Sequence, residues 1–447
     1  MDNVLLARSL FGSSMAFHII FATLGVGITL MILLAEILRL IKKDEDYGLL
    51  AKRWTKGVAI LLGVAIPSGT IVAVMLSLLW PGYMEIVGQV IALPFQIEIF
   101  AFFIEALFLS IYVYAADRLS PTMRIITVFF VALGATASAV LITDAHAWMN
   151  TPRGFDYVDG VVSNVRPLEA VFNPSIYVTA MHVLGSAYMT GAFMLGSVAA
   201  YKLFRGGLTA RETTYHKKGL MLSLGVALAM SFYTANNGHD TAIMLHEEIP
   251  VKLAAAEGLF ETQDNAPLAI LGTPDPEAGR VIGGIEIPGM LSWLATGSTD
   301  GVVQGLNDFP RDEWPPLFVH TLFNVMVGIG TVLLGLAGIF WVIWFLGRKK
   351  QKAFPKWLLG ALVLCGPLSM IGIETGWIFS CTGRQPWTIF GVQRTAEAAT
   401  NSGNLGMLFF LFLTLYLSLL VLTGLVMYFY FKRNPVTHEL HSTTPTA

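Results

Sequence analysis

Nine times along this chain of 447 residues the polar sequence gives way to a run of about twenty or more mostly apolar residues. The runs cover roughly 10 to 38, 57 to 80, 92 to 116, 124 to 146, 175 to 204, 219 to 236, 316 to 346, 357 to 381 and 404 to 431. A helix rises about 1.5 Å per residue, so about 20 such residues cross the roughly 30 Å hydrocarbon core of a bilayer. No water there satisfies backbone N–H and C=O groups, so runs of this length cross as helices. The expected fold is an all-α integral membrane protein of about nine transmembrane helices. Composition agrees: 55% of residues are hydrophobic, 13% are charged, and mean hydropathy is +0.65, far outside the soluble range. The first run is too long for a cleaved signal peptide and continues into a basic loop, so it reads as the first membrane helix.

Nine crossings put the termini on opposite sides, and the cations say which. With the amino terminus outside and the carboxy terminus cytoplasmic, 20 of the 28 Lys and Arg residues fall in cytoplasmic connections. These include Arg39 to Lys56, Lys202 to Lys218 and Arg348 to Lys356. The net charge of -2 gives no argument for nucleic acid, and none is expected as a partner. The division is then helices one to six over 1–236, one long outer loop over 237–315, helices seven to nine over 316–432 and a cytoplasmic tail over 433–447. The end of that tail, "HSTTPTA", is expected to be disordered. A loop of some 80 residues inside a compact protein is usually functional. Cys365 and Cys381 share one apolar run and are poor candidates for a disulfide.

An ionisable side chain near the bilayer centre costs about 2.5 to 3.5 kcal/mol on insertion scales, so each one raises a functional question. His18 lies in "SSMAFHIIFATLG" and His182 in "YVTAMHVLGSAYMTGAFMLG". Either could be a hydrogen-bonded core histidine or a ligand. The small residues after His182, Gly185, Ser186, Gly191 and Gly196, suit close helix packing or leave room for a flat macrocycle. Glu98 and Glu105 are seven apart, on one helix face about 10 Å from each other along the axis. They suit a proton or cation path, or a pair satisfied by neighbouring helices. Met326 could be core filler, but it lies at a depth like that of His182, and a His/Met pair holds low-spin haem. In the outer loop, "HEEIPVKLAAAEG" puts Lys252 and Glu257 near one face if its middle is helical. That is either a solvated turn or a site that binds and deprotonates a polar lipid headgroup. These groups, with Cys381 and Arg384, fall at or near the outer face, which argues for one clustered site.

Four features together resemble subunit I of the bd-type quinol oxidases over nearly the whole chain. They are "GRQPW" at 383–387 after "GW" at 376–377, "KLAAAE" at 252–257, and the placement of Arg8 and His18. The outer loop has the family's short form. The resemblance implies a terminal oxidase that oxidises quinol at the outer face and reduces dioxygen to water with protons from the cytoplasm. It implies a low-spin haem b held by His182 and Met326, and a second haem b with a haem d or a further b-type haem. His18 ligates one of that pair. It further implies quinol binding by Lys252 and Glu257, proton delivery through Glu98 and Glu105, Trp377 between haems, and a second membrane subunit. A small single-helix subunit is a candidate third. Arg8 and Arg384 suit haem propionates, because a guanidinium forms charge-assisted paired bonds.

Two positions depart from the pattern. Where the family usually has a ligating Glu three residues before the Arg of "GRQPW", this chain has Cys381. A thiolate there could bind iron, Glu374 or a water could take over, or the thiol could stand beside an altered or absent haem. Asn324 stands where many relatives have Arg, and the loss of a cation should make the low-spin haem easier to oxidise. A variant with b-type haems only or altered oxygen chemistry is the alternative within the family. A proton-coupled transporter using Glu98 and Glu105 is the alternative outside it.

Overall fold

The computed structural model describes residues 3–348 and 353–442. Lys349, Lys350 and Lys352 of the expected cytoplasmic loop lie outside the described residues, as do positions 443–447 of the tail. The chain opens with α1 (Asn3–Lys42), α2 (Glu45–Leu79) and a short α3 (Pro81–Val90). The pair α4 (Ala92–Ala115) and α5 (Pro121–Asn150) follows, then a hairpin of β1 (Asp156–Val158) and β2 (Val161–Ser163) and the short α6 (Pro167–Val171). Next come α7 (Ile176–Arg205), α8 (Ala210–Glu248) and α9 (Pro250–Glu257). Strands β3 (Leu268–Ile270), β4 (Thr273–Asp275), β5 (Arg280–Ile282) and β6 (Ile285–Ile287) nest as two antiparallel pairs, β3 with β6 and β4 with β5, before α10 (Met290–Thr296). The chain closes with α11 (Val319–Gly347), α12 (Lys356–Thr382), β7 (Trp387–Ile389), β8 (Gln393–Arg394), α13 (Thr395–Ala398), α14 (Leu405–Arg433) and α15 (Val436–Ser442).

Among the described residues nine helices are long and apolar enough to span a membrane, as the nine runs predict. Several outrun the expected bounds. α8 continues to Glu248, so the first part of the stretch expected as loop is helix. Beyond the bilayer core, polarity no longer reports a helix end, because water or protein can satisfy the side chains while the backbone ladder continues. The ends follow capping chemistry instead. Asp44 accepts from the Asp46 N–H at the start of α2, Ser120 accepts from Met123 before α5, and Thr209 with Glu212 forms a capping box on α8. Lys202 and Arg205 lie in the last turn of α7, where cations complement the helix dipole.

α1 and α7 form the centre of the bundle, with 61% and 67% of their apolar windows buried, against 11% for α14, which is peripheral. Lipid tails are as apolar as leucine, so close packing and not water exclusion must hold such helices together. Here small residues provide it. A Cβ on Gly27 would lie 2.3 Å from the Ala187 carbonyl oxygen, and one on Gly191 would lie 2.5 Å from the Gly27 carbonyl carbon. Backbone meets backbone at that crossing. Gly185 packs less tightly, against the side chains of Thr234 and Tyr233, and Gly196 against those of Leu224 and Ser223. The small residues after His182 therefore serve helix packing, mostly against α8 and α1. Ser186 bonds back to the Val183 carbonyl at 3.1 Å.

The cation-rich end is tied by ion pairs. Asp46 binds Arg211 and Lys218, Lys218 also binds Asp44, Arg39 joins Glu36 and Glu45, and Arg53 binds Glu439. Lysines and arginines of connections far apart in sequence thus meet at one end of the bundle, as the loop assignment requires.

Candidate functional site

At the opposite end the site begins with α9. Proline at its first position suits a helix start, and Gly258, with φ of 69°, ends it in the left-handed conformation that glycine adopts freely. The segment expected to be helical is so. It is not a solvated turn: Lys252 and Glu257 are both buried, at 4% exposure. His320 of α11 fixes its position, with Nδ1 2.7 Å from the Ala256 carbonyl oxygen and Nε2 3.0 Å from that of Leu271. Asn324, one turn on, accepts from the Leu271 N–H at 2.8 Å and donates to the His320 carbonyl at 3.1 Å. The residue that departs from the family's Arg therefore anchors the outer loop to α11.

Lys252 reaches into the bundle. Its Nζ donates to Asn150 Oδ1 at 3.1 Å and to the Ser380 carbonyl oxygen at 3.0 Å, and it lies 5.6 Å from the Phe379 ring centroid. An ammonium has three N–H donors, so one remains for a ligand. Burial, and then the nearby Arg384 guanidinium, pull the Lys252 pKa down to about 7. Burial pushes the Glu257 carboxyl up to about 8, and its Oε2 has no hydrogen-bond partner among the described residues. Near neutral pH this pair offers a partly charged donor and a protonated acid. Such a pair can accept or release protons with little change in pH.

The "GRQPW" segment wraps the end of α12. Gln385–Pro386 is a cis peptide bond, Thr395 Oγ1 donates to Gln385 Oε1 at 2.7 Å, and Arg394 lies over the Trp387 ring at 5.2 Å. This folded turn buries Arg384 to 5% exposure, with Nε and Nη1 lacking partners among the described residues. Burial lowers its pKa. Tyr83 of α3 is close enough to interact with it electrostatically. A buried guanidinium with two unpartnered donor nitrogens suits an external anion.

His146 of α5 is a residue that sequence reading missed. Its Nε2 lies 2.8 Å from Ser380 Oγ, its ring meets Trp377 edge-on at 5.3 Å, and Asn150 Nδ2 donates to its carbonyl at 2.8 Å. Lys252, Asn150, His146, Ser380 and Trp377 thus form one connected group beside Cys381. Both cysteines are free thiols; Cys365 is buried and Cys381 is accessible. Glu374, one turn before Trp377, is half-buried with Oε1 lacking a partner among the described residues.

The remaining candidates sit deeper. His182 Nδ1 is 3.1 Å from Asn237 Oδ1 on α8, and His18 Nδ1 is 3.0 Å from Ser68 Oγ on α2. In both rings the second nitrogen, Nε2, is left to act as a ligand, the arrangement that orients metal-bound histidines. A Cβ on Gly69 would lie 2.9 Å from His18 Cε1, and one on Gly376 would lie 2.9 Å from Met326 Sδ, so both side chains pack directly against glycine. Helix α12 packs against α7, which carries His182, and against α11, which carries Met326. Arg8 is half-buried in the second turn of α1. Glu98 accepts from Ser138 Oγ of α5 at 2.7 Å. Glu105 is buried against Gly134 of the same helix, where a Cβ would come within 2.9 Å of the Glu105 Cβ. Both acids therefore face α5. No set of three or more His, Cys, Asp or Glu side chains suited to a bare metal ion occurs among the described residues. Single His and Met donors suit iron already carried in a macrocycle.

Comparison with known proteins agrees. Residues 6–435 match the family described as cytochrome bd terminal oxidase subunit I. A Bacillus subtilis (strain 168) chain provisionally named cytochrome bd menaquinol oxidase subunit I is 56% identical over 442 residues, covering 99% of each chain. The cytochrome bd-II ubiquinol oxidase subunit 1 of Escherichia coli (strain K12) is 25% identical over 519 residues, covering 100% of this chain and 99% of that one. The structure of bd oxidase from Geobacillus thermodenitrificans superimposes with a TM-score of 0.91 at 43% identity, covering 97% of this chain and 99% of that one.

Proposed function

The chain belongs to the cytochrome bd terminal oxidase subunit I family, and from that premise we propose that it is the large subunit of a membrane quinol oxidase. In this reading each of two quinols gives up two electrons and releases two protons at the outer face, and with a second membrane subunit the four electrons pass, with four protons from the cytoplasm, to one dioxygen to give two waters. Haem, the family's cofactor, would supply the electron acceptor and the iron at which oxygen is reduced. The chain's own groups fit it. His182 and Met326 would hold one haem iron and His18 another. The unpartnered Nε and Nη1 of Arg384 suit a propionate. Arg8, half-buried near the same end, is a second candidate for that task. For a third iron, Cys381 and Glu374 are the candidates, and they differ in consequence. Thiolate ligation would favour oxygen chemistry through electron donation, while carboxylate ligation would follow the family's usual pattern.

The observation that carries the reading is the connected Lys252–Asn150–Ser380–His146–Trp377 group, with Lys252 and Asn150 buried. Lys252, with one free N–H, would orient a quinol hydroxyl oxygen. Glu257, once deprotonated, would take the proton. Trp377 of α12, edge-on to His146, would stand between haems. Glu98 and Glu105 on one face of α4 would conduct protons to the oxygen site from the cation-rich end, which the distribution of Lys and Arg makes cytoplasmic. Electrons leaving quinol at one face while protons arrive from the other would separate charge without a pump.

The test is a reduced-minus-oxidised spectrum with haem extraction on the purified complex, beside Cys381→Ser, Cys381→Glu and Glu374→Gln. Loss or shift of one haem band in a Cys381 variant assigns the thiol, and the same change in Glu374→Gln assigns the carboxylate. Unchanged haem content and spectra in all three would defeat ligation by either side chain. The same extraction separates a b-only variant from one with haem d, the alternative that Cys381 motivates. The transporter reading gives way to the family match over residues 6–435.

A further inference from the structure

A pocket of about 130 Å³ opens at the cation-rich end, between α2 and the junction of α14 with α15. Lys52, Arg53 and Lys56 of α2 face Tyr430 and Phe431 of α14 and His438 of α15 across it. Arg53 is already committed. It pairs with Glu439, donates to the Asn434 carbonyl oxygen at 3.0 Å, and lies over the Phe431 ring at 5.2 Å. Lys52 and Lys56 are different. They stand one turn apart on the same helix face, a spacing at which like charges repel. Neither has a bonded partner among the described residues. The acids nearby are bonded to other cations: Asp44 and Asp46 hold Lys218 and Arg211, Glu45 holds Arg39, and Glu439 holds Arg53.

Two unneutralised ammoniums in one concave site select an external anion with several oxygens. The surface beyond the pocket narrows the choice. Along α14, Val426 and Leu422 stand one and two turns before Tyr430 on the same face and are exposed, leading from the pocket toward the middle of the span. A free phosphate would use only the pocket, whereas a phospholipid would use both the cations and the apolar helix face. We propose that this pocket binds the phosphate headgroup of an anionic phospholipid, with Lys52 and Lys56 on the phosphate oxygens and the acyl chains laid along α14. Arg53 positions the site by pinning Glu439 and Asn434. α15 is held there by the Arg53–Glu439 pair, by Thr437 donating to Glu212 Oε1 at 2.6 Å and by burial of Val436 and Leu440. The lipid would therefore seal the carboxy-terminal helix to the membrane surface.

The test uses the complete purified complex as wild type, as the double variant Lys52→Gln with Lys56→Gln, and as Lys202→Gln, an exposed lysine at the same end. Each is incubated with phosphatidylcholine vesicles containing a minor fraction of phosphatidylglycerol. It is then recovered in detergent, and retained lipid is measured by mass spectrometry. The expected result is a drop in retained phosphatidylglycerol on the order of tenfold in the double variant. Phosphatidylcholine should not change, the Lys202→Gln complex should match wild type, and millimolar inorganic phosphate should have little effect. Equal phosphatidylglycerol retention in the double variant overturns the site. Full displacement by inorganic phosphate also overturns the lipid assignment, because the pocket would then be a free-anion site. If the double variant does not assemble, spin-labelled lipids on the wild-type complex decide: a motionally restricted fraction equal for the two lipids overturns the proposal.

Discussion

At the cation-rich end Asp46 is gripped by Arg211 and Lys218, Glu36 by Tyr112 and Arg39, and Glu439 by Arg53. At the other end Lys252, Glu257 and Arg384 are comparably buried, yet none of them is in an ion pair among the described residues. The ion pairs there, Arg153–Glu248, Arg166–Glu169 and Arg394–Asp312, involve more exposed side chains. Paired charges are spent on structure, because each has its counter-ion and no affinity left. Buried unpaired charges carry a desolvation penalty that only a ligand or a proton can relieve, and such groups mark functional sites. The difference between the ends is therefore a division of labour: one holds the bundle, the other waits for substrate.

The largest expected effect of this contrast is on pH. If the outer loop opens, Glu257 returns from about 8 to roughly 4.3, and Lys252 returns from about 7 to roughly 10.4. Between about pH 4.3 and 7 the closed loop binds one more proton than the open one through Glu257, so rising pH favours opening. Between 7 and 8 the two groups cancel. Above 8 the open loop binds the extra proton through Lys252, so rising pH favours closing. Each limb amounts to about tenfold per pH unit. Hydrogen exchange of residues 250–257, corrected for intrinsic rates, should show the loop opening most readily at pH 7 to 8. Glu257→Gln should flatten the acidic limb alone, and a profile insensitive to both residues would end the comparison.

Next in size, Lys252→Met should lower quinol oxidation by the assembled complex on the order of ten- to a hundredfold, since bonds to charged groups are worth about 1.5 to 3 kcal/mol. Haem absorption should stay intact, and a loss under about twofold would place substrate elsewhere. At the structural end the pattern should invert. Asp46→Asn should cost on the order of 1.5 to 3 kcal/mol of stability, read as a melting point lower by several degrees, with the quinol KM unchanged. A shifted KM with no change in melting would contradict the assignment of that end to structure. The smallest effect is expected at Asn324. Restoring Arg there should raise the midpoint of the low-spin haem in a redox titration, because a nearby cation stabilises the reduced state. An unchanged or lowered midpoint would sink the idea, and since Asn324 also holds the Leu271 N–H, the same variant should loosen the outer loop.

The membrane spans and the helix that carries Lys252 and Glu257 were legible in the sequence because both rest on local pattern, whereas the burial of those two side chains was not. The helix ends were not. α8 runs through Asn237 to Glu248 because water or protein satisfies those polar side chains while the backbone ladder continues, and hydropathy cannot distinguish that from loop. His146 escaped notice because "DAHAWMN" reads as an interfacial helix end, and only the fold brings Ser380 and Trp377 to it. The partners that orient the histidines were equally hidden. Ser68 and Asn237 are residue types that often bond their own backbone, and nothing local says that here they bond a ring on another helix. The glycines after His182 left packing and cofactor space both open until their neighbours were known.

Where α1 crosses α7, Gly27 and Gly191 meet with no side chain between them. Contacts between side chains can be reshuffled by rotamer changes, by temperature or by mutation, but two backbones in direct contact have no such slack. α1 carries His18 and α7 carries His182, so the spacing of the two helices that bear these histidines is set by the closest approach of two backbones. The crossing works as a ruler built into the scaffold.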